Sequence, residues 1–342
     1  MSDTDFRIEG HAGRITLNRP EALNALTHQQ ILDIEKHLIA WRDDPAVQLI
    51  LIDGAGDRAF CAGGDIQKLY DSGRAGDYDY GRQFWADEYR LNALIWNYPK
   101  PYVAIMHGFV MGGGVGVSAL GSHRVVTDGT QVAMPECAIG LIPDVGGSML
   151  LGCAPGRLGE YLGLTGARMG PADAIHATFA DSYVPTEHIE ALKMALCVKG
   201  PDVIDAFAQT PEQGPLQQAQ PQIDEHFGGE YAMDIIRSLE HKNGEWEQAT
   251  LKMLRRNAPF SIACAVEAIH RARNLNRLED ALKLEYRFTA RCMEHGEFLE
   301  GVRAAVIDKD RNPQWAVARL EELAQISVSQ MLSPLGADEL KL

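Results

Sequence analysis

The chain has 342 residues, 46% of them apolar, enough to bury a substantial core as one large domain with an extension or as two modest ones, so disorder over most of its length is excluded. Asp and Glu exceed Lys and Arg by 47 − 32 = 15, and a field of that sign repels phosphate backbones and anionic surfaces, which argues against nucleic-acid and membrane partners. Six scattered cysteines (Cys61, Cys137, Cys153, Cys197, Cys264, Cys292) without a CxxC pair suit neither a zinc site nor a disulfide framework; with no secretory pattern at the start, reduced thiols, no metal and a cytoplasmic location are expected.

In chain order, Thr27 is placed to cap a helix through Trp41, on which Ile31, Ile34, Leu38 and Trp41 form one apolar stripe. The run Gln48-Leu-Ile-Leu-Ile-Asp53 reads as a strand, and Ala59-Phe-Cys-Ala-Gly-Gly-Asp65 follows its turn. Adjacent glycines there let backbone N–H groups approach a ligand without side-chain obstruction; a turn that merely needs positive φ is the plainer alternative. A second strand, Pro101-Tyr-Val-Ala-Ile-Met106, precedes Met111-Gly-Gly-Gly-Val-Gly-Val-Ser-Ala-Leu-Gly121. Glycines opening a helix expose N–H groups where the helix dipole favours a developing oxyanion. The match to GxGxxG is imperfect and lacks an acidic ribose partner, which disfavours a dinucleotide. Ser118 misses the GxSxG spacing by one residue, so a serine nucleophile is disfavoured, and His107 at a strand end reads as structural rather than as a base.

A third strand, His123-Arg-Val-Val-Thr127, leads toward Ala133-Met-Pro-Glu136-Cys-Ala-Ile-Gly-Leu-Ile-Pro-Asp144-Val-Gly-Gly147. Two carboxylates flanking a short apolar segment are candidates for desolvated acid, base or nucleophile; solvated surface acids are the alternative. Cys137 beside them reads as a buried small residue. After Pro185 the β signal fades, and Ile189/Leu192/Leu196 and Ile262/Val266/Ile269 fall at helical spacing. The Pro/Gln-rich run from Gln209 to Gln222 is read as a loop or linker. The resulting expectation is α/β, with a core over residues 1–200 and a mainly helical region over 201–342.

Taken together, these segments resemble the crotonase (enoyl-CoA hydratase/isomerase) superfamily. The resemblance rests on Ile15-Thr-Leu-Asn-Arg-Pro20, Leu23-Asn-Ala-Leu26, Ala59-Phe-Cys-Ala-Gly-Gly-Asp-Ile66, Gly112-Gly-Gly114 and Pro135-Glu136. It implies the crotonase spiral of ββα units, a coenzyme A thioester as substrate, and an oxyanion hole made by the N–H groups of Gly64 and Gly113. Hydratases of that family carry a glutamate shortly after the glycine triplet, a position that looks to be Gly116 here. Met134-Pro-Glu136 and Ile139-Gly-Leu-Ile-Pro-Asp144-Val-Gly-Gly147 are instead similar to the 3-hydroxyisobutyryl-CoA hydrolase branch, as are Glu88-Tyr-Arg-Leu-Asn92, Leu284-Glu-Tyr-Arg287 and Glu300-Gly-Val-Arg-Ala-Ala-Val-Ile-Asp-Lys309.

That likeness implies hydrolysis of a short 3-hydroxyacyl-CoA. Glu136 and Asp144 are then the catalytic pair; Glu88, Gly113, Glu136 and Asp144 contact substrate, and Lys309 with the C-terminal region serves the CoA phosphates. No cofactor is implied, since CoA belongs to the substrate. The alternatives are a hydratase or isomerase and a non-catalytic CoA-binding protein. Family members assemble as trimers or pairs of trimers, and a homo-oligomer stays open.

Overall fold

The computed structural model describes residues 2–342 and divides the chain into two compact units that alternate along the sequence. The first runs through Gly64, then Asp87–Ala133 and Arg168–Gln218; the second is Asp65–Ala86, Met134–Ala167 and Ala219–Leu342. These boundaries differ from a single division at residue 200.

Among the described residues, all strands belong to the first unit: β1 (Thr4–Glu9), β2 (Ala12–Leu17), β3 (Leu49–Gly54), β4 (Ala59–Cys61), β5 (Tyr102–Met106), β6 (Phe109–Met111), β7 (His123–Val126), β8 (Gln131–Ala133) and β9 (Ser182–Tyr183). They form a six-stranded sheet ordered β1-β2-β3-β5-β7-β9 and a three-stranded sheet ordered β4-β6-β8. Only β1 and β2 pair antiparallel; the other named pairs are parallel. Thus β3/β4, β5/β6 and β7/β8 repeat one device, a strand in the large sheet and then one in the small sheet, followed by a helical turn. This is the ββα spiral of the crotonase fold, and each repeat places a candidate segment directly after its small-sheet strand.

The three expected strands form as β3, β5 and β7, and their apolar continuity has a visible cause. Ala12, Leu49, Leu51, Val103, Ile105 and Val125 pack with Ile189, Leu192 and Leu196 of the helix Ile189–Lys199. Gly13, with the opposite parity to Ala12, faces Trp41 at the end of the helix His28–Arg42; a Cβ there would lie 2.6 Å from the indole. Both faces of the sheet are therefore covered, as parallel strands require. Thr27 caps that helix as expected, in a capping box with Gln30.

The second unit is helical. Its longest members are Leu278–His295 and Pro259–Ala272, and the latter buries Ile262, Val266 and Ile269. The expected linker at 209–222 is only partly a loop, because a helix begins at Pro215 and runs to His226. Pro215 occupies the first turn, where its missing N–H costs no hydrogen bond, and buried Leu216, Ile223 and Phe227 anchor the helix despite Pro221 inside it.

A buried ion cluster ties β2 and β3 to the covering helix. Asp53 accepts from Arg14 (2.8 Å), Thr16 (2.7 Å) and Lys193 (2.9 Å). Burial works against the Asp53 carboxylate, but Lys193, Thr16 and Arg14 outweigh it and hold its pKa below the ordinary value. Removing the acid leaves Arg14 and Lys193 only their exposed partners Glu9 and Glu190, so Asp53→Ala is expected to cost on the order of 3 kcal/mol at neutral pH, read from the urea midpoint. Because the native pKa is depressed, the wild-type advantage shrinks as pH falls through it.

Candidate active site

Within the first unit the glycine segments meet at the end of the small sheet. The Ala62–Gly64 turn leaves β4 with Gly63 at φ +115°, and Gly112 leaves β6 at φ +49°, conformations that favour glycine. Gly113 then opens a helix of a single turn, Gly113–Gly116. The expected dipole contribution is correspondingly small, and what the turn supplies is an N-terminal N–H not used inside the helix. A Cβ on Gly113 would lie 3.4 Å from the Gly64 nitrogen and 2.7 Å from Glu88 Oε1. Gly64, Gly113 and the buried Glu88 carboxylate of the helix Tyr78–Trp96 are therefore brought together, as the sequence implied. The approach is close because Gly114 lies over β4, where a Cβ would come within 2.3 Å of the Cys61 carbonyl oxygen.

The Leu23-Asn-Ala-Leu26 signature acquires a mechanical reason. Leu26 N–H donates to the Gly63 carbonyl (2.8 Å) and Ala62 N–H to the Leu23 carbonyl (3.0 Å), which clamps the glycine turn. Asn24, fully buried at φ +56°, donates through Nδ2 to the carbonyls of Ala55 (2.9 Å) and Ala59 (2.8 Å) and accepts from Arg19 N–H (2.9 Å). Asparagine tolerates that left-handed conformation and ties three separate backbone groups together at once.

The second unit holds the acids. Pro135 precedes a 3-10 turn, Glu136–Ile139, closed by Gly140 at φ +74°. The turn is wedged in place: a Cβ on Gly140 would strike the Glu297 backbone at 2.4 Å, one on Gly301 would strike the Ile139 carbonyl at 2.2 Å, and Ala258 N–H donates to the Cys137 carbonyl at 2.9 Å. Glu136 and Asp144 are 5% and 4% exposed, which answers the surface alternative: both carboxylates are inside the protein. Gly116 is buried in its turn and offers no carboxylate.

Two further buried acids were not assigned from sequence. Glu285 is fully buried on the helix Leu278–His295 and accepts from the N–H groups of Gly146 (2.8 Å) and Ser148 (3.0 Å) and from the Ser148 hydroxyl. Burial pushes its pKa up to about 8 against these hydrogen bonds, and the nearby Asp144 charge adds to the rise. Glu297 has its pKa raised by burial against the N–H groups of Val317 and Ala316. The available signal for Glu285 was its place on the buried stripe of Ala281, Leu282, Phe288 and Cys292, where a lone carboxylate is out of character.

Ser118 Oγ donates to the Gly114 carbonyl at 2.6 Å within the helical turn, a structural bond. His107 uses its carbonyl to receive Phe60 N–H, while burial and then Lys193 lower its pKa. Burial raises the Cys137 thiol, with Glu136 adding, and raises Cys61 to about 12, so neither is a thiolate at neutral pH. Lys309 is exposed at φ +56° in the loop after Arg303–Ile307.

The Enoyl-CoA hydratase/isomerase family profile matches residues 12–332. The chain belongs to this family, the crotonase superfamily. It is 37% identical to the mitochondrial 3-hydroxyisobutyryl-CoA hydrolase of Gallus gallus, covering 100% of this chain and 91% of that protein. It is 36% identical to the human protein of that name, over 97% and 89%. A crystal structure titled as an enoyl-CoA hydratase from Rhodobacter sphaeroides superposes with a TM-score of 0.95 at 46% identity, covering both chains fully. One of a carnitinyl-CoA dehydratase from Mycobacterium thermoresistibile gives 0.95 at 42%, over 100% and 99%. Among the described residues no helix is long and apolar enough to cross a membrane.

The raised Glu285 pKa has a consequence for stability. The native state holds a proton that the unfolded chain has lost, so stability present below the ordinary glutamate pKa is lost as pH rises through about 8. Between pH 6 and 9 the wild-type Tm should fall by a few degrees relative to that of Glu285→Gln, measured by calorimetry at matched ionic strength.

Proposed function

We propose that this protein hydrolyses 3-hydroxyisobutyryl-CoA, or a close short 3-hydroxyacyl-CoA, to the free hydroxy acid and CoA, as a step of valine breakdown. The observation that carries the reading is Gly116, a buried glycine where hydratases of the family carry a second catalytic glutamate. Water addition across a double bond uses two carboxylates, whereas thioester hydrolysis needs one carboxylate and an oxyanion hole. The names of the relatives from Gallus gallus and human support the same reading.

In the proposed reaction the amides of Gly64 and Gly113 take the thioester oxygen, and the oxyanion gains more from them than the ground-state carbonyl does, about 3 kcal/mol per donor. Glu136 attacks the carbonyl to give a mixed anhydride with loss of the CoA thiolate, which water then cleaves, or it accepts a proton from attacking water; both routes use its carboxylate. Asp144 binds the substrate 3-hydroxyl and assists proton transfer, while Glu88 contacts the acyl group beside Gly113. Lys309 is assigned to the CoA phosphates. CoA enters only as part of the substrate, so no cofactor is invoked. A cytoplasmic setting belongs to this reading and rests on the sequence; the two hydrolase relatives above carry "mitochondrial" in their names. A second reading, addition or removal of water, is favoured by the names of the two well-superposed proteins, an enoyl-CoA hydratase and a carnitinyl-CoA dehydratase.

Thiol release from 3-hydroxyisobutyryl-CoA, run beside hydration of crotonyl-CoA with one preparation, separates the two readings: release without hydration is expected, and hydration without release would refute the hydrolase. Glu136→Gln should lower turnover by at least ~10²-fold with the fold intact by circular dichroism. Asp144→Ala should erode the preference for 3-hydroxyacyl over unsubstituted acyl thioesters, because the site would no longer penalise loss of the hydroxyl; an unchanged ratio removes Asp144 from that role.

A further inference from the structure

The backbone immediately after Asp144 is strained. Val145 adopts φ +53° and Gly146 φ +84°, two successive left-handed residues, the first of them β-branched. A β-branched side chain in that region is an outlier that persists only where its surroundings enforce it. The enforcing contacts can be named. Gly147 N–H donates to the Asp144 carbonyl at 2.7 Å, which closes the turn on itself. The two neighbouring amides, of Gly146 and Ser148, converge on the two oxygens of Glu285, Oε2 at 2.8 Å and Oε1 at 3.0 Å, and the Ser148 hydroxyl reaches Oε1 as well. Glu285 projects from the middle of the 18-residue helix Leu278–His295, a rigid base compared with the turn that it holds.

The same helix borders Asp144 more widely. The charge of Asp144 acts on the Glu285 carboxyl and on the buried Cys292 thiol two turns further along the helix. Glu285, fully buried and remote in sequence from its donors, caps the N-terminus of the helix Gly147–Cys153, which is itself buried and has no side-chain cap of its own. What it adds is a fixed position for the residue before the strained bond.

We propose that Glu285 is the positioning residue for Asp144: by holding the Val145–Ser148 turn through Gly146 and Ser148 it sets where the Asp144 carboxylate meets the substrate 3-hydroxyl, and so governs hydroxyacyl selectivity. This rests on the hydrolase reading and on the role given to Asp144 there. Glu285 touches neither substrate nor reacting atoms; it acts through Asp144. Replacing it by glutamine leaves shape and volume but sets an NH₂ group, which cannot accept, against an amide N–H, so one of the two anchors is lost.

The test is thiol release from 3-hydroxyisobutyryl-CoA and from isobutyryl-CoA, each measured with the same preparations of wild type, Asp144→Ala, Glu285→Gln and Ser148→Ala. The ratio of the two rates does not depend on the fraction of folded enzyme, so instability alone leaves it unmoved. Glu285→Gln should lower kcat on the hydroxylated substrate by at least ~10-fold while isobutyryl-CoA hydrolysis stays within about threefold. Ser148→Ala, which removes one of three contacts and keeps both amides, should shift the ratio in the same direction by less, and it carries the test if Glu285→Gln does not fold. An unchanged ratio in both variants, or equal losses on both substrates, overturns the role of Glu285. A wild type with no preference for the hydroxylated substrate instead overturns the functional reading on which the role rests, whereas a preference lost in Asp144→Ala but kept in the Glu285 and Ser148 variants removes Glu285 alone.

Discussion

Close passage of one backbone over another requires residues without side chains, and in the first unit Gly113 and Gly114 meet that requirement where they cross the end of β4. A methyl group on Gly114 would collide with the Cys61 carbonyl, and one on Gly113 would fill the space shared with Glu88 and the Gly64 amide. The clamp of Leu23, Asn24 and Leu26 on the turn after β4 and the one-turn helix after β6 hold Gly64 and Gly113 beside each other. The large sheet, covered on both faces, supplies the rigid frame from which the short strands are hung.

The second unit solves the opposite problem, keeping carboxylates inside a protein. Two of its buried acids are held by backbone, Glu285 by the amides of Gly146 and Ser148 and Glu297 by those of Val317 and Ala316, whereas buried Glu160 is held by Arg157 and Arg273. Amides satisfy a carboxylate without the neutralising charge that would quench a base or nucleophile nearby. The contrast with Asp53 in the first unit is instructive. There Arg14 and Lys193 lower the pKa and make a structural strut, while at Glu285 burial wins and the group is poised near neutrality.

What could be read from sequence was whatever depends on neighbours along the chain. The continuous apolar runs gave β3, β5 and β7, Thr27 with Gln30 marked a helix start, and the glycine pairs marked Gly64 and Gly113. Burial of Glu136 and Asp144 was legible as an alternative and needed coordinates to decide it. Glu285 was not legible as a site residue because its partner Ser148 lies 137 positions away, and only the fold brings the two together. The prolines near 215 and 221 misdirected the reading of a loop, since tertiary burial of Leu216 and Ile223 outweighs the local penalty. Interleaving of the units also escapes any single boundary drawn on composition.

That interleaving shapes how the chain must be made. Neither unit is a contiguous stretch: the first is not complete until Gln218 has been synthesised, and the second needs Asp65–Ala86 from near the beginning together with everything after Ala219. On the ribosome, β3 emerges with its partner β5 still some fifty residues unborn, Ile50 pairing with Tyr102, so an apolar strand edge waits unpaired during elongation. No single cut of the gene yields a fragment that consists of one unit alone. Dissection by truncation is therefore the wrong tool for assigning activity to halves of this molecule, and point substitution is the right one.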